Sequence, residues 1–289
     1  MSSYSYIARS FSTYAATALL ALAGCGDTHL PISGRTIESS LLSKSVADQS
    51  YRIYVRLPPG YDQAAAKQFP VVYQLDANFL SFDQFGVTAG LASKLEAAGQ
   101  IPEVIVVGIG YDGSDQRFRD FVPPLGVSPS GVLPTTGGAF SFYRFIREEL
   151  QPAINKTYRV DTTSGATLMG HSLGGFFSLW SLFVQDLAAP SFSHFVAADP
   201  TSGYDRAVLL GYEAQLATRT KALPASLLIT YASVGSFSQP LVVHAIESKL
   251  TGHRYDGFRM SVESLSGDHG EAISPSFERG LLYSLGGGK

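Results

Sequence analysis

The sequence predicts an α/β fold, in which a mostly parallel central sheet is covered by helices on both faces. Short apolar runs typical of buried strands alternate along the chain with longer segments of helical periodicity. One such run leads directly into an apolar helix through a glycine-rich hexapeptide at residues 170–175. The chain has 289 residues, 45% of them hydrophobic and 16% charged, which is sufficient for one large core.

The first half of the chain carries the signals of strands and a helix. Residues 51–57 alternate and are rich in aromatic and β-branched side chains, as in a half-buried strand. Residues 69–75 and 104–109 are almost continuously apolar, which is typical of strands buried on both faces. Helical spacing extends over 87–98. Residues 110–138 form a long connection rich in Pro and Gly, and loops of that length are usually functional.

The second half continues the alternation of strands and helices. We find no internal repeat and no second domain, so residues 46–289 are predicted to form a single α/β domain. The predicted strands are 166–169, 195–198, 227–231 and 258–262, and the predicted helices are 140–158, 176–183, 241–250 and 275–285.

The N-terminal residues resemble a bacterial lipoprotein signal. The mostly apolar run at 15–24 contains ten residues, too few to span a bilayer but typical of a secretory signal. It ends in LAGC, which resembles the lipoprotein box whose cysteine, here Cys25, is lipidated. We therefore expect a signal peptide at 1–24 and a tether at 25–45, with the chain anchored in the bacterial cell envelope and facing the periplasm or exterior. A buried cysteine in an N-terminal helix is the alternative interpretation.

Charge and cysteine content argue against several classes of function. The formal net charge of -3 is too small and too mixed to indicate nucleic acid as a partner. Cys25 is the single cysteine, which excludes an intrachain disulfide and a cysteine metal cluster. No metal or organic cofactor is implied, and the sequence gives no indication of oligomeric state.

The hexapeptide at 170–175, GHSLGG, fits the G-x-S-x-G nucleophile elbow. In this turn the backbones of a strand and a helix pass so close that only small residues fit beside the serine. The apolar strand before the motif and the apolar helix after it supply the context that the elbow requires. Ser172 is therefore predicted as the nucleophile of an acyl-transfer reaction, with a glycine-rich structural turn as the alternative.

A serine nucleophile needs a base for its proton and hydrogen-bond donors for the oxyanion that forms. In elbow enzymes the histidine follows the last strand, and His269 lies between the last predicted strand and the last predicted helix. The backbone N–H of Leu173, directly after the nucleophile, is the first predicted oxyanion donor. The second donor is expected after an earlier strand, where Ala77 is the first choice and Asn78 the next.

Short motifs spaced through the chain carry a family resemblance. They are VYQLD at 72–76, VVGIGY at 106–111, RFRDFVP at 117–123, FIREELQP at 145–152 and DHG at 268–270. With the elbow, their order and spacing resemble the bacterial putative-esterase family of the α/β-hydrolase fold. That family includes siderophore esterases, feruloyl esterases, S-formylglutathione hydrolases and mycolyltransferases. The resemblance covers roughly residues 40–286, is closest to the siderophore-esterase-like branch, and implies a siderophore lactone or another small ester as substrate.

The resemblance also implies residues that bind the substrate. In the siderophore-esterase-like branch an Arg-x-x-Asp segment borders the substrate cleft, which makes Arg117 and Arg119 candidates for substrate contacts. We add Asn78, at the end of a predicted strand, to the substrate-binding candidates. The alternative for the arginines is an Arg–Asp pair that fixes the long loop.

The acid of a full triad is absent from its usual place. Family members with a full triad carry it, often as Glu, just after the strand that matches 227–233, and residues 235–240 contain no carboxylate. Either the site is a Ser–His dyad, or the acid is Asp199, at the end of the preceding strand, where the family more often has Ser before Pro. The alternative role of Asp199 is to cap the following turn. Asp268 and Glu271 are weaker candidates for the acid.

The sequence thus predicts a lipid-anchored serine carboxylesterase with Ser172 as nucleophile and His269 as base. An acyltransferase that passes the same acyl group to an alcohol is one alternative. A non-catalytic binding lipoprotein on a hydrolase scaffold is another, because a fold does not fix a function. The missing acid is the argument for the second alternative, and the intact Ser172 and His269 are the argument against it.

Overall fold

A computed structural model describes residues 30–79, 83–124, 136–201, 206–235 and 239–287, with the backbone alone at 206 and 207. The predicted signal peptide at 1–24 and the predicted lipidation site at Cys25 lie outside these ranges. Within the described ranges, no helix combines the length and the apolar character needed to cross a membrane.

The centre of the described structure is an 8-stranded sheet. Its strands are β1 (Arg35–Leu42), β2 (Ser50–Leu57), β3 (Val71–Gln74), β4 (Ile105–Tyr111), β5 (Ala166–His171), β6 (His194–Ala198), β7 (Ser226–Ala232) and β8 (Arg259–Leu265). They lie in the order β1-β2-β4-β3-β5-β6-β7-β8. The pairs β1–β2 and β2–β4 are antiparallel, and every further pair across to β8 is parallel. The predicted α/β class with a mostly parallel sheet is confirmed.

Helices cover both faces of this sheet. They are α1 (Gln84–Ala97), α2 (Arg117–Phe121), α3 (Ala139–Phe145), α4 (Gln151–Thr157), α5 (Leu173–Val184), α6 (Arg206–Arg219), α7 (Pro240–His253) and α8 (Ile273–Leu285), with a π-helical segment, Ile146–Leu150, between α3 and α4.

Burial on both faces explains why the central strands are apolar at successive positions. Every residue of β3 and β4 is buried, as expected for strands covered by helices on each side. On one face, Phe277 of α8 belongs to the same apolar cluster as residues of α1 and the sheet. On the other face, Phe177 and Trp180 of α5 lie in a larger cluster that includes Phe142 of α3.

The parallel register brings several strand ends to one edge of the sheet. Gln74 of β3 is paired with Met169 of β5, and His171 of β5 is paired with Ala198 of β6. The segments that follow β3, β5 and β6 therefore begin side by side. Ligands of open α/β sheets bind outside the carboxyl ends of the strands, so the fold places the functional site here.

The structure differs from the sequence analysis at three elements. Part of the predicted tether at 25–45 is strand β1, which pairs with β2 over its whole length. It is an edge strand on which only Ile37 and Leu41 are partly buried against the core, so its composition resembles that of a loop. Helix α6 was not predicted, and the predicted loop at 110–138 contains the short helix α2, while residues 125–135 lie outside the described ranges.

Candidate active site

Ser172 occupies a sharp turn between β5 and α5. Its backbone has φ 61 and ψ -119, a strained conformation for a residue with a side chain. The glycines make this turn sterically feasible. A Cβ on Gly170 would lie 2.5 Å from the carbonyl carbon of Gly174, and one on Gly175 would lie 2.7 Å from the carbonyl oxygen of Ala198. The predicted elbow geometry is therefore present, with Ser172 partly exposed at its apex.

His269 and Asp199 meet at this turn. His269 Nδ1 lies 2.7 Å from Asp199 Oδ2, although the two residues are 70 positions apart in sequence. The Asp199 side chain is fully buried, whereas the imidazole is 20% exposed. This is the geometry by which a carboxylate orients a catalytic imidazole: Nδ1–H donates to the acid and leaves Nε2 as the basic nitrogen.

The backbone around Asp199 is held by both neighbouring strands. Its N–H donates to the carbonyl oxygen of Thr230 in β7 over 2.9 Å, and the N–H of Ser172 donates to Ala198 in β6 over 2.9 Å. The φ of Asp199 is 39, a left-handed conformation that Asp tolerates better than most residues. The end of β6 therefore presents the carboxylate beside the elbow.

His171 links the elbow to the histidine loop. Its Nε2 lies 2.9 Å from the carbonyl oxygen of His269, so this nitrogen is the donor. The two imidazole rings have centroids 4.3 Å apart. Burial lowers the pKa of His171 well below 6.5, and repulsion from His269 and Arg117 lowers it further. A neutral imidazole next to Ser172 thus supports the loop that carries the predicted base.

The two weaker candidates for the acid bond to nearby backbone instead. Asp268 Oδ1 accepts from the N–H groups of Gly270, over 2.9 Å, and Glu271, over 3.0 Å. Glu271 Oε2 accepts from the N–H of Asp268 over 2.9 Å. The two carboxylates thus stabilise the turn that leads into α8. Asp199 is the carboxylate that the structure brings to the Nδ1 of His269.

Sequence reasoning missed Thr201, which lies against Ser172. Thr201 Oγ1 is 3.0 Å from Ser172 Oγ, and the Thr201 N–H donates to the Ser172 carbonyl oxygen over 3.1 Å. Its position two residues after Asp199 is the one signal in the sequence that could have found it.

Of the two predicted oxyanion donors, the backbone N–H of Leu173 is consistent with the structure and that of Ala77 is not. Leu173 is the first residue of α5, where N–H groups have no acceptor within the helix. Ala77 was the wrong choice for the second donor, because its N–H donates to the carbonyl oxygen of Ile109 over 3.1 Å. The N–H of Asn78, the next in the chain, takes its place as the candidate. The loop after β3 does reach the elbow, since a Cβ on Gly174 would lie 3.0 Å from Asp76 Oδ2.

The side chain of Asn78 is committed to the protein. Its Nδ2 donates to the Tyr111 carbonyl oxygen over 2.9 Å, and the Tyr111 N–H donates to its Oδ1 over 2.9 Å. These two bonds fix the loop after β3 to the end of β4. The prediction that this side chain binds substrate is therefore not supported by its contacts.

The two arginines of α2 are engaged in ion pairs with buried aspartates. Arg117 donates from Nε and Nη2 to both carboxylate oxygens of Asp76, over 3.0 and 2.9 Å, and both side chains are buried. Burial raises the pKa of Asp76, and Arg117 opposes that rise. Arg119 donates in the same bidentate way to Asp120. The Arg117 guanidinium is buried and two of its nitrogens donate to Asp76, so its contacts do not support the predicted role in substrate contact; for both residues, the alternative of Arg–Asp pairs that fix the loop matches these contacts.

Two histidines and one aspartate of this site lie close enough together to raise the question whether they bind a metal ion. His171, Asp199 and His269 each offer a ligand atom within 4.8 Å of the other two. However, His269 Nδ1 and Asp199 Oδ2 are at hydrogen-bond distance, and His171 Nε2 donates to a backbone carbonyl. A metal ion would have to displace both bonds, so the donor set fits a hydrogen-bonded catalytic group better than a metal centre.

The fold and the elbow define the class of protein: it is an α/β-hydrolase. The chain belongs to the putative-esterase family, whose model matches residues 43–204. Its relatives are named as esterases, which supports a hydrolase that acts on ester bonds.

The relatives include enzymes that act on siderophores. Ferri-bacillibactin esterase BesA of Bacillus subtilis is 34% identical over 183 residues, which are 60% of this chain and 61% of BesA. The match thus spans less than two thirds of that relative. The siderophore enterobactin esterase of Emericella nidulans is 24% identical over 277 residues, which are 82% of this chain and 89% of that protein.

Solved structures show the same fold. The BES protein from Bacillus cereus has a TM-score of 0.73 at 25% identity, over 90% of this chain and 99% of that one. An IroE-like serine hydrolase from Shewanella oneidensis has a TM-score of 0.70 at 27% identity, over 86% of this chain and 79% of that one.

Proposed function

We propose that the protein is a serine carboxylesterase in which Ser172, His269 and Asp199 form the catalytic triad. The observation that carries this proposal is the 2.7 Å contact between His269 Nδ1 and Asp199 Oδ2 beside a strained elbow serine. The alternative of a non-catalytic scaffold was based on the absence of an acid. The Asp199 carboxylate beside the His269 imidazole argues against that alternative.

The reaction proceeds through an acyl-enzyme. Ser172 Oγ attacks the ester carbonyl carbon while His269 Nε2 takes its proton, and the N–H groups of Leu173 and Asn78 bind the oxyanion. His269 then protonates the leaving alcohol as the carbon–alkoxy bond breaks. Water attacks the acyl-enzyme with His269 as base, and the proton returns to Ser172 Oγ as the carboxylic acid leaves. Asp199 keeps the imidazole in the required tautomer and stabilises its charged form.

The substrate we propose is a siderophore ester. The support is the set of relatives named for bacillibactin, triacetylfusarinine C and enterobactin, together with the sequence motifs of the siderophore-esterase-like branch. A smaller carboxylic ester is the alternative within the same mechanism.

We also propose that the protein is anchored to the membrane through a lipid on Cys25. The support is the LAGC motif at the end of a short apolar run. Anchoring through several acyl chains is firm, whereas one chain alone binds only marginally. The enzyme would then act at the surface of the envelope membrane, facing the periplasm or exterior.

The test measures whether the purified protein hydrolyses the esters of a panel. The panel contains bacillibactin, enterobactin, triacetylfusarinine C, methyl ferulate and p-nitrophenyl acetate. We expect turnover of p-nitrophenyl acetate, greater kcat/KM for one siderophore, and labelling of Ser172 by a fluorophosphonate probe. Ser172→Ala should remove both hydrolysis and labelling, whereas Ser284→Ala, in α8, should retain them. Undiminished hydrolysis by Ser172→Ala would contradict the assignment of the nucleophile.

A further inference from the structure

One hydroxyl group touches the nucleophile and has no role in the mechanism above. Thr201 Oγ1 lies 3.0 Å from Ser172 Oγ. The Thr201 N–H also donates to the Ser172 carbonyl oxygen over 3.1 Å. Thr201 therefore contacts both the side chain and the main chain of the nucleophile.

The same short turn serves both catalytic side chains. Asp199 contacts His269, and Thr201, two residues further, contacts Ser172. The turn is fixed at its start, because the Asp199 N–H donates to the Thr230 carbonyl oxygen over 2.9 Å. A carboxylate for the base and a hydroxyl for the nucleophile thus come from one strand end.

We propose that Thr201 is a further catalytic residue, whose hydroxyl donates a hydrogen bond to Ser172 Oγ. This inference rests on the proposed function. The proton of Ser172 must go to His269, so the contact assists the reaction when Thr201 is the donor and Ser172 Oγ the acceptor. A donor at this position holds Oγ in one rotamer and stabilises the negative charge that develops as its proton leaves.

The hydroxyl acts in both halves of the reaction. In acylation, Ser172 Oγ forms the bond to the acyl carbon and gives its proton to His269. In deacylation, water forms a bond to the same carbon, the bond to Oγ breaks, and Oγ recovers a proton from His269. Charge develops on Oγ in each half, while Thr201 keeps its own proton throughout.

The experiment compares substitutions that separate the hydroxyl from the rest of the side chain. Thr201→Val keeps the shape and the backbone N–H, Thr201→Ala removes the hydroxyl and the methyl group, and Thr201→Ser keeps the hydroxyl. The rate constant for fluorophosphonate reaction with Ser172 and the kcat for p-nitrophenyl acetate are measured on full-length protein, with melting temperature as the folding control.

One neutral hydrogen bond changes a rate by about three- to tenfold. We expect Thr201→Val and Thr201→Ala to lower both rates by that factor with KM unchanged. Thr201→Ser should stay within about twofold of the wild type, because it retains the donor.

Three results overturn the proposal. Rates for Thr201→Val and Thr201→Ala at or above the wild-type level would show that the hydroxyl does not assist the nucleophile. A loss in Thr201→Ser as large as in Thr201→Val would assign the effect to packing of the methyl group. If the probe does not label the wild-type protein, the proposed function is contradicted, and the role of Thr201 with it. The first two results, in contrast, contradict the role of Thr201 alone.

Discussion

His171, next to Ser172, connects the elbow to the loop that carries His269. Its Nε2 donates to the His269 carbonyl oxygen, and it is buried. Burial lowers its pKa well below the ordinary value of 6.5, so the folded protein keeps it neutral at pH values where the unfolded chain protonates it. Unfolding then takes up a proton, and stability falls as the pH falls below about 6.5.

We predict that His171→Gln flattens this pH dependence. The Gln amide can donate to the same carbonyl but does not titrate. Between pH 6.5 and 5, the free energy of unfolding of the wild type should fall more steeply than that of His171→Gln, by up to about 1.4 kcal/mol per pH unit. Chemical denaturation at several pH values measures the difference. Equal slopes in wild type and His171→Gln would contradict the assignment.

The three side chains of the proposed triad were all named from the sequence, but their arrangement was not predictable. Ser172 lies in a recognisable motif, and His269 lies where such a motif places its base. Asp199 and Thr201 depend on contacts across the ends of separate strands, and no local pattern encodes these. Ala77 was the wrong donor because the N–H direction depends on how the loop after β3 turns, and Asp76 has a φ of 55 there.

At the scale of elements, the junction of β5 and α5 requires glycine because backbone atoms lie where a Cβ would be. A Cβ on Gly175 would be 2.7 Å from the Ala198 carbonyl oxygen and 3.1 Å from the Gly170 carbonyl oxygen. Neither backbone atom can rotate away. Any shift would also move β6, whose end carries Asp199.

Gly175→Ala is therefore predicted to lower the free energy of unfolding by about 1–3 kcal/mol, as overpacking does, and to lower kcat by moving the acid from the base. Gly211→Ala is the matched control. It lies within α6 with no atom within 4 Å of its Cβ position, and should raise the free energy of unfolding by about 0.5–1 kcal/mol. Chemical denaturation and ester hydrolysis of both variants provide the test, and a fully active, fully stable Gly175→Ala would contradict the packing argument.

The buried strands were predictable because helices on both faces leave almost only apolar positions, as in β3 and β4. The elements missed from the sequence have broken patterns. In α6 the buried face contains Leu209 and Leu216 but also Glu213, which is 1% exposed and lies 3.1 Å from His253 Nε2. A carboxylate on the buried face weakens the helical periodicity in the sequence. The pairing of Glu213 with His253 cannot be inferred from composition, so nothing in the sequence explains a buried Glu here.

At the scale of the whole molecule, the proposal to test is attachment to the envelope membrane through a lipid on Cys25. Strand β1 begins at Arg35, ten positions after the proposed lipidation site at Cys25, so the proposed tether to the sheet is short. Residue Ser33 is fixed to the body, since Arg56 donates to its carbonyl oxygen over 2.9 Å. Arg56 is itself buried and paired with Glu96.

We predict that the full chain, expressed in a bacterium, sediments with the membrane fraction and enters the detergent phase on phase partitioning. Cys25→Ser should remove the lipid attachment site and release the protein from that fraction with its kcat on p-nitrophenyl acetate unchanged. Ser33→Ala, downstream of the proposed modification, is the control and should remain with the membranes. Continued membrane association of Cys25→Ser would contradict lipid anchoring.

The central claim is that Asp199, from the end of β6, is the acid of the triad. The most direct measurement is kcat/KM for p-nitrophenyl acetate in Asp199→Asn beside Asp268→Asn, the rival acid. An Asn amide that donates to Nδ1 would leave the imidazole proton on Nε2, and Nε2 could then not accept the proton of Ser172. We therefore expect Asp199→Asn to lower kcat/KM by about 10³- to 10⁴-fold. Asp268→Asn should lose less than about fivefold, because an Asn oxygen still accepts the two backbone bonds of that turn. An Asp199→Asn enzyme with near wild-type activity, or the larger loss in Asp268→Asn, would contradict the account.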